Sequence, residues 1–79
     1  MLRFEIVKSE NGSVPDEVQI FMDREGLRSL TAQLQFLENG RTEHIHLMSE
    51  AWGGTHLEGE SADTKNTIVH HVKLMLRNS

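Results

Sequence analysis

DREGLRSLTAQLQFLENG, residues 23–40, is the stretch whose reading decides the fold. Asp23 is a helix N-cap residue, and Glu25 adds negative charge in the first turn, at the positive end of the helix dipole. Leu27, Leu30, Leu34 and Leu37 follow at spacings of three and four, which gathers them on one face. Asn39-Gly40 then supplies a left-handed stop. The pattern predicts a helix over about 24–38, and a leucine stripe of this kind belongs to a core, so a sheet face must lie beneath it.

The segments around that helix alternate with period two. In residues 2–8, Leu2, Phe4 and Ile6 oppose Arg3, Glu5 and Val7; in residues 17–22, Val18, Ile20 and Met22 oppose Glu17, Gln19 and Phe21. Residues 9–16 between them are dense in turn formers, which predicts a hairpin with an irregular loop. Residues 43–48 set Ile45 and Leu47 against His44, His46 and Met48. Residues 55–58 read as a short edge strand and 59–66 as a polar loop. Thr67 to Leu76 reads as one long strand, with Ile68, Val72, Leu74 and Leu76 on the apolar side and Val69, His71, Lys73 and Met75 opposite. His70 falls on the apolar side, as a hydrogen-bonded histidine at the core's margin. The expected fold is α+β: one helix packed on a mainly antiparallel sheet of four to five strands, in the order ββαβ(β)β, as a single domain over residues 1–79.

Composition narrows the function classes. Seventy-nine residues make a small core in which each apolar side chain counts. The chain is 37% hydrophobic and 25% charged, with no apolar run near the roughly 20 residues that span a bilayer. The start resembles no signal peptide, and a secreted domain of this size usually carries disulfides, whereas cysteine is absent here. The expectation is a cytoplasmic protein with no membrane partner. A net charge of −4 argues against nucleic acid as a partner, since phosphate binding needs surplus Lys and Arg.

Parity gives the sheet a second face, turned from the helix, which carries Phe21, His44, His46, Met48, His71, Lys73 and Met75, with Arg3, Glu5, Val7, Gln19 and Val69. Apolar groups gathered among charged ones have the composition of a contact surface, for a partner or for a second copy in a homodimer; the alternative is that these residues lie scattered on separate edges or beneath the loop that carries Trp52. The histidines raise a metal alternative: His44 and His46 point the same way, and His71 supplies a third nitrogen of the kind zinc takes. The spacing is permissive but not specific, and surface histidines are the commoner reading. No nucleophile elbow, phosphate loop or paired-carboxylate motif organises the hydroxyls and acids into a catalytic set. The chain is therefore read as a non-enzyme without cofactor.

Trp52, the one tryptophan, precedes Gly53-Gly54. The plainer role for it is to cap the open end of the helix-sheet core while the glycines turn the chain. The functional role is an interface anchor on a glycine-hinged loop.

The succession Asp23-x-x-Gly26-Leu27, His44-x-His46-Leu47, Trp52-Gly53-Gly54-x-x-Leu57 and His70-His71-Val72-Lys73 resembles the immunity protein 32 family of bacterial polymorphic toxin systems. The likeness runs over nearly the whole chain. It implies a small α+β protein that protects the producing cell by binding and blocking a cognate toxin. Trp52, Gly53 and Gly54 carry over as motif positions, and with Phe21, His44, His46 and His71 they form the expected partner-binding set.

Overall fold

In a computed structural model describing residues 1–7, 17–60 and 65–77, strand β1 (Leu2–Ile6) is the spine of a three-stranded antiparallel sheet. Strand β2 (Val18–Met22) lies on one side of it and β4 (Thr67–Val69) on the other. Leu2 stands opposite Met22, and Phe4 opposite both Ile20 and Val69, so these five residues share one face. Strands β3 (His44–Met48) and β5 (His71–Met75) make a second, two-stranded antiparallel sheet. The fold is α+β, and the described residues form five strands in two sheets and one helix; the expected hairpin loop over 9–16 lies outside the described residues, as does 61–64 of the polar loop.

Helix α1 spans Arg24–Glu38. The Asp23 carboxylate accepts from the Gly26 N–H at 2.8 Å and also ion-pairs with the amino group of Met1. At the other end Gly40 takes φ +71°, and the chain turns back with Arg41 N–H donating to the Phe36 carbonyl at 3.1 Å. Gly26 is buried, and a Cβ on it would stand only 2.6 Å from the Met1 carbonyl carbon. The helix start is thus pressed onto the start of β1, an approach that only glycine allows.

Leu2, Phe4, Leu47 and Leu57 form the core, with Met22, Leu30, Val69, Val72 and Leu74 packed against it. The leucine stripe divides. Leu37 is buried and Leu30 joins the core, but Leu27 and Leu34 remain 47% and 46% exposed, correcting the expectation that the whole stripe is core. Val18 and Ile20 are exposed as well, on the outermost strand of their sheet.

The long strand expected over 67–76 is also corrected. Val69 faces Phe4 and Val72 faces Leu47, and both pack on the core although they lie an odd three positions apart. Alternation therefore slips by one residue at His70, which belongs to neither strand, in the manner of a bulge. Upstream of the slip Val69 is on the core side and Ile68, opposite Glu5, on the reverse; downstream the expected parity holds. The slip is pinned by Ser49, which is wholly buried: its N–H donates to the His70 carbonyl at 2.9 Å and its hydroxyl bonds His70 Nδ1 at 2.7 Å. His70 is thereby the hydrogen-bonded histidine that its position suggested.

Residues 55–58 form no strand. Leu57 makes a single parallel bridge to Ser49, and the Glu58 N–H donates to the Leu2 carbonyl at 2.8 Å, so this segment links the two sheets and plugs the core with Leu57.

Candidate functional site

The reverse face of the β3–β5 sheet collects the imidazoles. In register, His44 lies opposite Met75, His46 opposite Lys73 and Met48 opposite His71, so all six share the side turned from Leu47, Val72 and Leu74. His46 Nδ1 and His71 Nε2 are 2.8 Å apart. Their ring centres are 5.1 Å apart and their planes 21° from parallel. The difference between the two separations is about the sum of two ring radii, so the nitrogens lie on the line between ring centres. The rings therefore meet end to end in one N–H···N bond, in which one donates and the other accepts. His44 meets His46 edge to face, with centres 5.1 Å apart and planes at 86°.

Trp52 closes the row. Its ring lies 5.3 Å from that of His71 at a tilt of 32°, and the residue is 59% exposed, which overturns the core-capping role. It ends a 3₁₀ turn, Glu50–Trp52, that starts from Ser49. The Ser49 carbonyl accepts from the Trp52 N–H at 3.0 Å and the Gly54 N–H at 2.9 Å. Gly53 leaves the turn at φ +82°, where a side chain is strained, and a Cβ on Gly54 would stand 2.5 Å from Met48 Cβ. The two glycines have separate duties, one of conformation and one of close approach, and together they deliver the indole to the imidazoles.

His46 is held below the ordinary imidazole value, chiefly by loss of water around its ring and then by the positive charge of His44, His71 and Lys73. No carboxylate occupies a position on this face of β3 or β5. The three histidines singled out as a metal alternative are therefore together, but two of their nitrogens are turned on each other. An ion held in line between them would need about 4 Å of separation, twice a zinc–nitrogen bond. Among the described residues no group of three or more His, Asp or Glu is placed to hold a metal ion.

Phe21 belongs to the other sheet. It faces Arg3 across β1, with the guanidinium 4.6 Å above its ring. The same Arg3 pairs with Glu5 at 2.5 Å, and Glu5, wholly buried, also accepts from Asn66 Nδ2 at 3.0 Å. The reverse of the three-stranded sheet thus carries a part-buried charge network centred on Glu5. It does not continue the imidazole row.

The sequence model of a family described as Immunity protein 32 matches residues 17–72, more than two thirds of the chain. The chain belongs to the immunity protein 32 family. No curated protein and no solved structure matches it. The matched span contains the residues whose local geometry demands them: Asp23 and Gly26 at the helix start, Ser49, Gly53 and Gly54 around the turn, and His70 at the slip. It also contains His44, His46, Trp52 and His71, so the row lies within the matched span of this immunity protein 32 member. A groove of about 450 Å³ that the sequence did not announce lies beside the turn, lined by Glu50, Glu58, Glu60 and His70 among others. The Glu58-Gly59-Glu60 triplet was its only trace in the sequence. Among the described residues no helix is long and apolar enough to cross a membrane.

Proposed function

We propose that this immunity protein 32 member neutralises a cognate toxin of a bacterial polymorphic toxin system by binding and occluding it in the cytoplasm of the producing cell, without catalysis of its own. The observation that carries this reading is the exposed Trp52, set against His71 by a turn whose backbone needs both of its glycines. An aromatic ring held rigidly on one face and open on the other is the usual form of an interface anchor, because little side-chain freedom is lost on binding. Met48 and Met75 beside the row add adaptable apolar surface. Phe21, placed apart under Arg3, stays outside the proposed contact, while Gly53 and Gly54 act by shaping it.

The test is protection. Cells that express the toxin encoded next to this gene should die or stall without the protein and grow with it. Survival without it would remove the reading. Trp52→Ala should weaken protection while the protein stays folded.

A further inference from the structure

We infer that His46 and His71 form a single proton-sharing unit that governs how Trp52 sits on the face, so that this pair within the proposed partner surface takes up charge in two separate steps as pH falls. The inference rests on the reading of this face as partner-binding for its biological consequence, but not for its chemistry. The end-to-end bond fixes that chemistry. In the neutral pair one bridging nitrogen carries hydrogen and the other accepts with its lone pair. A first added proton goes to a ring nitrogen pointing away from the bridge, on the donating ring, and strengthens the bond by making its donor cationic. A second has only the bridging lone pair left. It sets two N–H groups against each other and breaks the pair.

The surroundings sharpen the separation. From β3, His44 meets the His46 ring edge to face; from β5, Lys73 lies opposite His46 in register; from the 3₁₀ turn, Trp52 lies over His71. Glu50, the acid of that turn, lines the groove with His70. Each charge that reaches His46 from the face is positive, and this opposes the second proton in particular. Trp52 responds to both steps. With His71 as the donating ring, the first proton places a cationic imidazole under the indole, attracted to its π face, and rupture of the pair frees His71 to move. The pair would therefore be neutral at high pH, cationic with the indole held down at intermediate pH, and broken apart at low pH.

Trp52 is the sole tryptophan and the chain has no tyrosine, so its emission reports this site alone. The isolated protein is titrated from pH 8 to pH 4 while Trp52 fluorescence and the ¹⁵N shifts of the imidazole rings are followed. Expected are two transitions separated by about one pH unit or more, shared by the His46 and His71 rings and the indole. His46→Ala, at an exposed position, should collapse them into one; His44→Ala should keep two and bring them closer. Independent single transitions of the two rings, or an emission profile unaltered by His46→Ala, would overturn the inference. Neither result bears on whether the protein protects cells from a toxin.

Discussion

Gly26 packs against the backbone of Met1 so closely that a methyl group in place of its hydrogen would fall 2.6 Å from the Met1 carbonyl carbon. Replacing an ordinary helical glycine by alanine gains about 1 kcal/mol of helix propensity. Here the sign reverses, because the obstacle is main chain and cannot rotate away. Gly26→Ala should destabilise the fold by at least about 1–3 kcal/mol, the usual cost of overpacking, which in a domain of this size lowers Tm by several degrees. Thermal melts of the two proteins check this; an unchanged or raised Tm would show that α1 does not dock on β1 as described.

The divided leucine stripe gives a contrast within one helix. Leu37→Ala removes a buried side chain and should cost about 2–5 kcal/mol, whereas Leu34→Ala, at a position nearly half exposed, should cost under about 1.5 kcal/mol. Urea unfolding of both variants, compared at equal m-value, reads the difference. Equal losses would mean that the open row is covered in solution.

That contrast also marks where the sequence stops being legible. The helix could be bounded to the residue because Asp23, the leucine period and Asn39-Gly40 are local signals that need no partner. The strands around Phe4, Ile20 and Leu47 were readable for the same reason. Which leucines are covered depends on how far the sheet extends beneath the helix, and no residue within α1 records that. The slip at His70 is hidden in the same way: His70-His71 reads as continuous alternation until Ser49, 21 residues away, is seen to hold His70 out of the ladder. The imidazole face survived the slip because His71, Lys73 and Met75 all lie downstream of it. Val69, upstream, did not.

Acid should weaken the fold through two groups. The Asp23 carboxyl is held below its usual range first by the hydrogen bond from the Met1 amino group and then by the Gly26 N–H. A depressed carboxyl stabilises the native state above its unfolded value, near 3.8, and loses that contribution as pH falls through its folded value. His46 is a base held low, so the native state resists its protonation, the second proton of the His46–His71 pair: the contribution of the neutral His46 ring is present above about 6.5 and is lost as pH drops below that. Urea midpoints measured at pH 8, 6, 5 and 3 should fall in two stages. His46→Gln should flatten the upper stage and leave the lower one in place, which Asp23→Asn should remove.

Trp52 and Leu47 separate binding from folding. Leu47 is wholly buried in the core, and Leu47→Ala should cost about 2–5 kcal/mol of stability. Trp52→Ala should leave the unfolding midpoint within about 0.5 kcal/mol of the parent, as exposed substitutions do, yet weaken toxin binding by about 2 kcal/mol or more, some 30-fold. Calorimetry with the cognate toxin alongside melts of the free protein supplies both numbers. A Trp52→Ala protein that unfolds easily would reassign the indole to the fold.

Ser49 offers the strictest test of how the face is aligned. Its hydroxyl is enclosed, and His70 Nδ1 is its partner at 2.7 Å. Ser49→Ala leaves that nitrogen without its bond at the core's margin, a loss of about 1–3 kcal/mol if the strands hold their places. The alternative is that β5 relieves the loss by moving one residue along β3. That shift would carry Val72 and Leu74 to the outside and His71 and Lys73 inward, because a one-residue slip exchanges the faces of a strand. The two outcomes differ in Trp52, whose ring contact with His71 survives the first and not the second. Ser49→Ala is expected to lose stability with its Trp52 emission maximum unchanged, since the backbone bonds from Ser49 to His70, Trp52 and Gly54 remain. A shifted emission maximum in the folded variant would show that the hydroxyl, and not this backbone frame, sets the register on which the imidazole row depends.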